Sequence, residues 1–245
     1  MSPAIVYYTN HFINNTITQF FSKANNLQLE NINNYVYDNT KTFITYGILR
    51  GTGEILSKSK NYIYIDHGFL NASDRTFNKE KITKIKNLTG YFRVIKNDLY
   101  FNKNFINFDN TRFKKLGIDL KDLKIEGKKI VISEPSEHVL NYFKIPNWTN
   151  DTINEIKKFC DREVIIHSKF SKVPLKTVLK DAFAFVSCQS NAAYQALSEG
   201  VPVYFTHNTL KKFGNIKNIE KRELNHSLLY TAANSQWKLS EFFSN

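Results

Sequence analysis

The sequence of 245 residues has little of the residue types that build disulfide frameworks or metal sites. It contains two cysteines, Cys160 and Cys188, which are far apart, and neither has a second Cys or a His at zinc spacing. A disulfide framework and a structural metal are therefore not expected, and this pattern favours a reducing compartment.

Long apolar runs are also missing. No stretch approaches the roughly 18 consecutive apolar residues of a membrane-spanning helix, and the first residues lack the basic and then apolar pattern of a signal peptide. We therefore expect a cytoplasmic protein without a membrane span. Hydrophobic residues still make up 42% of the chain, which is enough for a folded core and excludes a disordered chain.

Acidic residues are few, and the resulting positive charge is unevenly distributed. The formal net charge is +12, and residues 79–129 contain 14 Lys/Arg against 6 Asp/Glu, a net of +8. One interpretation is a solvated, lysine-rich surface. The other is an electropositive face for a polyanion, because cations that neutralise phosphates release condensed counterions.

The first half of the chain predicts an α/β domain of moderate regularity. Apolar and β-branched runs predict strands, and amphipathic or capped segments predict helices. The strands are expected at Ala4–Tyr8, Lys41–Leu49, Tyr62–Asp66 and Tyr91–Ile95, and the helices at His11–Ala24 and Glu54–Ser59. Residues 97–127 are polar and basic, which is typical of an insertion followed by a linker.

The second half predicts a regular alternation of strands and helices. Strands separated by helices of about ten residues indicate βαβ units and a parallel sheet. We therefore predict two Rossmann-like domains with a cleft between them, at residues 1–126 and 127–223, and a C-terminal helix, 224–245, that returns to the first domain. The strands expected after Gly127 are Lys129–Ser133, Glu163–Ile166, Ala182–Ser187 and Val201–Phe205. The helices are Glu137–Phe143, a helix capped by Thr149 or Asp151 that ends at about Cys160, Pro174–Lys180 and Ser190–Glu199.

Polar residues follow four of the predicted strands. They are Asp66-His67-Gly68, Ser133-Glu134-Pro135-Ser136, His167-Ser168-Lys169 and Ser187-Cys188-Gln189-Ser190-Asn191. Ligands of an open parallel sheet bind beyond the carboxyl ends of its strands. These four segments therefore contain the candidate site residues.

The segment Ser190-Asn191-Ala192-Ala193 favours an anion site. Small residues at a helix start leave backbone N–H groups accessible, and the positive end of the helix dipole favours phosphate there. An ordinary N-cap serine is the alternative. Lys169 is a candidate point charge for the same phosphates.

Residues Ser190–Val203, Ser-Asn-Ala-Ala-Tyr-Gln-Ala-Leu-Ser-Glu-Gly-Val-Pro-Val, resemble the donor-site segment of GT-B glycosyltransferases. The resemblance implies a nucleotide-sugar donor, with UDP-sugar as the expected form, whose diphosphate contacts the small-residue turn. The acidic residue that holds the ribose in that superfamily falls on Gln195 here, which lacks the charge. Glu199 replaces it only if the helix register shifts.

Asp66-His67-Gly68 resembles the His-Gly element that serves as catalytic base in capsule and teichoic-acid type transferases of this superfamily. The resemblance implies that His67 accepts the proton of the acceptor hydroxyl, while Asp66 orients the imidazole or is the base itself. A satisfied structural histidine is the alternative. A wider set of segments looks like compact phage-encoded glycosyltransferases: Tyr46-Gly47, Arg50-Gly51, Tyr64–Gly68, Tyr91–Val94 and Trp237–Leu239.

The resemblance, together with the charge, predicts a metal-independent transferase. No Asp-x-Asp pair occurs, which argues against the metal-dependent GT-A type. The donor residues are expected to be Ser133, Glu134, Ser136, His167, Lys169, Ser190, Asn191 and Gln195. Phosphate or acceptor contacts are expected from Arg50, Arg93 and Lys96.

Three functions remain open for this site. The first is sugar transfer to a 5-hydroxymethylpyrimidine base, such as hydroxymethylcytosine, in double-stranded DNA, in the cytoplasm of a bacterial host if the chain is phage-encoded. The second is transfer to a glycan or lipid-linked acceptor. The third is a nucleic-acid-binding module without activity, on a degenerate GT-B scaffold. The sequence leaves the oligomeric state unknown.

Overall fold

The computed structural model describes residues 3–72, 75–78, 81–85, 90–101 and 105–243. The chain forms two compact units, Met1–Phe105 with Ser235–Asn245, and Ile106–Asn234. The elements up to residue 96 are β1 (Ala4–Tyr8), α1 (Phe12–Ala24), β2 (Gln28–Asn31), β3 (Thr42–Tyr46), α2 (Thr52–Lys58), β4 (Tyr62–His67), β5 (Arg75–Asn78), β6 (Lys81–Ile85) and β7 (Tyr91–Lys96). The later elements are α3 (Thr111–Lys114), β8 (Lys129–Ser133), α4 (Glu137–Phe143), α5 (Trp148–Lys157), β9 (Glu163–His167), α6 (Leu175–Val178), β10 (Ala182–Ser187), α7 (Ala192–Ser198), β11 (Val203–Phe205), α8 (Ser227–Ala233) and β12 (Gln236–Lys238).

The sheet of the first unit has the strand order β12-β7-β4-β3-β1-β2. Strands β1 to β4 are parallel, and β7 and β12 add to their edge in antiparallel pairs. One face of the sheet is covered by α1, whose apolar stripe Ile13, Ile17 and Phe21 repeats every four residues. This stripe packs with Ile44 and Ile65 of the two central strands in one buried cluster.

The direction of strand addition reverses once in this sheet. From β1 the chain moves to β2 on one side, and it then crosses back to place β3 and β4 on the other side. The loops that leave β1 and β3 therefore diverge at the carboxyl edge of the sheet. Ligands of open α/β sheets bind at such a reversal.

The sheet of the second unit contains four parallel strands in the order β11-β10-β8-β9. All six residues of β10 are buried, as expected for a strand that is covered on both faces. The chain moves from β8 to β9 on one side and then to β10 and β11 on the other. The reversal of this sheet thus lies between β8 and β10.

Most predicted elements are confirmed within a few residues, but the C-terminal prediction is wrong in part. Residues 224–245 do not form one helix, because α8 ends at Ala233 and the chain then forms β12 and a 3-10 helix at Leu239–Phe243. The tail does return to the first unit, where β12 pairs with β7. Strand β2 and the β5–β6 hairpin were not predicted.

The compact units also end elsewhere than the predicted domains. Residues 106–126 belong to the second unit, because the segment before β8 is hydrogen-bonded to the end of α7. The Lys121 N–H donates to the Ser198 carbonyl at 2.9 Å, and the Lys124 N–H donates to the Gly200 carbonyl at 3.0 Å. Residues 224–234 belong to the same unit, and Tyr230 of α8 packs edge-on against Phe113.

Within the residues that the structure describes, no helix has both the length and the apolar composition that crossing a membrane requires.

Gly200 is expected to be a strong stability determinant of the second unit. It has φ +79°, and a Cβ there would collide with the Asp122 carbonyl, whereas Gly117 has φ +64° with open space around it. Gly117→Ala therefore carries only the cost of left-handed backbone, about 1 kcal/mol. Gly200→Ala adds the steric clash and should lower the free energy of unfolding by about 3 kcal/mol in urea titrations. Equal losses for the two variants would contradict the clash.

Candidate active site

A row of polar residues crosses the carboxyl edge of the second sheet. Ser133, the last residue of β8, is in register with His167 of β9 and with Ser187 of β10. Ser133 and Ser187 are buried, and His167 is half-buried. Burial lowers the pKa of His167 below its ordinary value, so its imidazole is predominantly neutral at pH 7 and suited to hydrogen bonding rather than to charge pairing. Three strand ends predicted from the sequence therefore meet at the reversal of the sheet.

The turn after β10 differs from its prediction. The Ser190 N–H donates to Ser187 Oγ at 2.7 Å and the Ala192 N–H donates to Ser190 Oγ at 3.2 Å, while the Ala193 N–H donates to the Ser190 carbonyl at 3.1 Å. These N–H groups are not open to an anion, because the short turn satisfies them internally. The Ser190 and Asn191 side chains, both half-buried, are the groups of this turn that remain candidates for contact with a phosphate.

The segment after β8 presents a carboxylate and a hydroxyl at the same edge. Glu134 is half-buried, its N–H donates to the His167 carbonyl at 3.2 Å, and one carboxylate oxygen accepts from the Thr149 hydroxyl at 3.3 Å. Ser136 precedes α4, but its hydroxyl makes no capping hydrogen bond. Both side chains therefore retain hydrogen-bonding capacity toward a ligand.

The two residues considered for ribose binding, Gln195 and Glu199, lie at different positions along α7. Gln195 is exposed on the first turns of α7. Glu199 lies at the far end of that helix, where it pairs with Lys121 at 2.5 Å and Lys176 at 3.5 Å. Glu199 is thus not a substitute for the missing acid. Lys169 is exposed beyond β9, with its ammonium 5.6 Å from the Phe170 ring centroid.

His67 ends β4 in the first unit and is enclosed. Its side chain is only 3% exposed, and its ring lies 6.0 Å from that of Tyr46 and 5.9 Å from that of Phe92. Both ring nitrogens are buried without a hydrogen-bond partner among the described residues. A buried polar group without a partner is costly, and a catalytic role is one explanation for keeping such a group.

Asp66 and Arg93 form an ion pair on the face of the sheet opposite to the His67 side chain. The Arg93 guanidinium donates to Asp66 Oδ2 at 2.9 Å, and the Tyr64 hydroxyl donates to the same oxygen at 2.7 Å. The other carboxylate oxygen accepts from the His67 N–H at 2.8 Å. Arg93 is buried, so its position differs from the accessible phosphate contact predicted for it. The reason is its register opposite Asp66.

The glycine of the Asp66-His67-Gly68 motif has a packing explanation. A Cβ at Gly68 would lie 2.7 Å from the Tyr91 carbonyl oxygen and 2.9 Å from Gln236 Oε1. Gln236 Oε1 accepts from the N–H groups of Phe69 and Leu70, and its amide nitrogen donates back to the Leu70 carbonyl at 2.9 Å. This amide fixes the loop after His67. Sequence reasoning missed Gln236, whose partners are more than 160 residues away.

A second buried amide was also missed, at the reversal of the first sheet. Asn14 Oδ1 accepts from the Thr9 N–H at 2.7 Å, and its amide nitrogen donates to the Tyr46 carbonyl at 2.6 Å. Asn14 therefore joins the ends of β1 and β3. Its signal in the sequence was an amide on the apolar face of α1, beside Ile13 and Ile17.

The remaining predicted cations do not lie together. Arg50 is exposed in the loop after β3, at the carboxyl edge. Lys96 ends β7 opposite Ile63, three residues and about 10 Å along the strand from Arg93, toward the opposite edge. The structure thus separates Lys96 from the His67 end of the sheet.

The basic segment 79–129 does not form one free row of charge. It divides between the two units, and its residues 79–80, 86–89 and 102–104, with the side chains of 81–85, lie outside the described residues. Of its described cations, five contact groups of their own unit: Arg93 with Asp66, Arg112 with the Ala233 carbonyl, Lys121 with Glu199, Lys124 with the Leu179 carbonyl and Lys129 with Glu163.

Among the described residues no cluster of three or more His, Cys, Asp or Glu side chains has the arrangement of a metal site. Cys160 and Cys188 are both buried and free.

No protein-family model and no curated protein sequence matches the chain. Among solved structures, it is similar to KpsC of Thermosulfurimonas dismutans, a β-Kdo 2,7 transferase, with a TM-score of 0.50 and 12% identity over 95% of this chain and 90% of that chain. It is also similar to the β-Kdo 2,4 transferase of KpsC from the same organism, with a TM-score of 0.53 and 11% identity over 96% and 90%. The chain therefore shares the α/β fold of these glycosyltransferases over almost its whole length.

The two cations of β7, Arg93 and Lys96, should contribute very differently to stability, because only Arg93 pairs with Asp66. Arg93→Met keeps the aliphatic volume beside Tyr64 and Phe69 but leaves the Asp66 carboxylate without its cation. Breaking a buried pair in this way should lower the free energy of unfolding by about 3 kcal/mol, measured by urea denaturation. Lys96→Met, on the same strand but exposed, should change it by less than about 0.5 kcal/mol. A small effect at both positions would show that the ion pair contributes little.

Proposed function

We propose that this chain is a GT-B glycosyltransferase that transfers a sugar from a nucleotide-sugar donor to an acceptor hydroxyl without a metal ion. The observation that carries the proposal is the fold shared with two sugar transferases over at least 95% of the chain. The polar carboxyl edges of both sheets support it, because folds alone host many functions and the site must supply the chemistry.

The donor is assigned to the second unit, at the reversal between β8 and β10. Ser190 and Asn191 would contact the diphosphate, and Ser136 and Glu134 would hydrogen-bond the remainder of the nucleotide. His167, predominantly neutral at pH 7, offers a hydrogen bond from the neighbouring strand end. UDP-sugar is the donor expected from the sequence resemblance.

The base is assigned to His67. It would take the proton of the acceptor hydroxyl while that oxygen bonds to the anomeric carbon and the bond from that carbon to the phosphate oxygen breaks. The nucleotide leaves with the bonding electrons, and hydrogen-bond donors at the donor site stabilise its charge. Asp66 is the weaker candidate for this role, because three donors already occupy its oxygens.

A glycan acceptor takes precedence over a DNA base in this proposal. The two structures reported above are named as Kdo transferases, and five cations of the basic segment contact groups of their own unit. Hydroxymethylated DNA stays as the second candidate acceptor, favoured only by the net charge of +12.

Donor binding is tested with an isosteric charge change. Asn191→Asp places a carboxylate where the diphosphate is proposed to bind, so UDP affinity in calorimetry should fall about tenfold or more. Uridine, which has no phosphate, should bind the variant as it binds the original chain. The new charge lies at the start of α7, where a carboxylate stabilises the helix dipole, so the variant should remain folded.

Asn154→Asp is the matched control, because it makes the same change at an exposed position of α5 in the same unit. It should leave UDP affinity within about twofold. Equal weakening by both variants, or no binding of UDP or of any other nucleoside diphosphate by the original chain, would contradict the donor assignment.

The base is tested with His67→Phe. Phenylalanine retains an aromatic ring beside Tyr46 and Phe92 but cannot accept a proton, and it removes two buried nitrogens that have no partner among the described residues. The rate of nucleotide release in the presence of acceptor should fall about 10²- to 10⁴-fold, measured with a panel of nucleotide sugars and with glycan and hydroxymethylated DNA acceptors in parallel.

Nucleotide affinity and thermal stability serve as controls for His67→Phe, and both should be retained. Full transfer activity in the variant would assign His67 to packing alone. Turnover with DNA and not with glycans would reverse the order of the two acceptors.

A further inference from the structure

The first unit has a concavity that contains none of the residues assigned to the donor site. It has a volume of about 370 Å³ and is lined by residues at or just after the ends of β1, β2 and β3: Thr9, Asn10, His11, Asn31, Ile32, Asn33 and Arg50. It lies at the reversal of the first sheet, where the loops after β1 and β3 diverge. This is the position at which open α/β sheets bind ligands, and the volume lies within the range of about 300–1,000 Å³ of small-molecule sites.

The charge of this concavity is positive and uncompensated. His11 and Arg50 both line it, and no acidic residue does. No carboxylate in the described part of the chain pairs with Arg50. The pKa of His11 is lowered, first by burial and then by the positive charge of Arg50. The charged guanidinium of Arg50 and the imidazole of His11, with no acidic residue in the lining, favour an anionic ligand.

The loop that presents Arg50 is fixed. Arg50 has φ +63° and Gly51 has φ +89°, so the chain turns sharply between β3 and α2. The buried Thr52 hydroxyl lies 2.8 Å from the Gly47 carbonyl and 2.7 Å from that of Leu49. The position of the Arg50 backbone therefore does not depend on a ligand.

Neutral hydrogen-bond donors complete the concavity. The Asn31 amide nitrogen donates to Asn10 Oδ1 at 3.2 Å, and Asn31 Oδ1 accepts from the Asn33 N–H at 2.9 Å. This orientation leaves the amide nitrogen of Asn10 as a donor. A guanidinium, an imidazole and an amide together match an oxyanion on a polar molecule.

We propose that this concavity binds the carboxylate or phosphate group of a sugar-sized molecule through Arg50, His11 and Asn10. Binding of an anionic group here does not depend on whether the chain transfers sugars. If the proposed function holds, this concavity receives the acceptor, and the acceptor is then an acidic molecule.

The test measures binding of three sugars to the full chain: glucuronate, glucose 6-phosphate and uncharged glucose. At least one acid should bind about tenfold more tightly than glucose, and the tighter of the two identifies carboxylate or phosphate as the group recognised. Arg50→Asn should abolish this preference. Asn accepts a left-handed backbone, so the variant keeps the loop. His11→Asn should weaken the preference while providing a better residue to cap α1.

Lys23→Asn is the matched control. It removes one exposed cation from the same helix, about 18 Å from His11, and should leave the preference unchanged. Equal losses for Lys23→Asn and Arg50→Asn, or no preference for either acid over glucose, would overturn the proposal. UDP affinity is measured on the same samples, so that failure of this site and failure of the donor site are seen separately.

Discussion

Both units depend on the geometry of a parallel sheet whose order of strand addition reverses. Right-handed crossovers that run in opposite directions must cover opposite faces of the sheet, so the loops leaving two adjacent strands diverge. In the first unit these strands are β1 and β3, and in the second they are β8 and β10. Each reversal exposes strand ends at one edge, and that edge carries the polar side chains of the chain's two candidate ligand sites.

Diverging loops leave peptide groups without sheet partners, and buried amides satisfy them. Asn14 links the ends of β1 and β3, while Gln236 holds the loop after β4 from a strand at the other end of the sequence. Ser187 has the same role in the second unit, because its hydroxyl accepts the Ser190 N–H. Polar atoms at the edges are thus divided between those that fix loops and those, such as Ser136 and Arg50, that remain open to ligands.

The sequence allowed prediction of the strands that are buried on both faces, because β8 and β10 are continuous apolar runs. It did not reveal β2, whose Gln28-Leu29-Glu30-Asn31 has one apolar residue, or β12, which is three residues long and pairs only through tertiary contacts. The strand ends identified Ser133, His167 and His67 as candidates. The pairing of Arg93 with Asp66 was not predicted, because the two residues lie on neighbouring strands and no local pattern encodes that contact.

The central claim is that the edge between β8 and β10 binds a nucleotide sugar. Hydrogen–deuterium exchange with and without saturating donor tests it most directly, because exchange locates binding along the chain without assuming an acceptor. We expect added protection of amides in residues 133–137 and 188–193. Protection confined to other segments, or none with any nucleotide sugar, would contradict it.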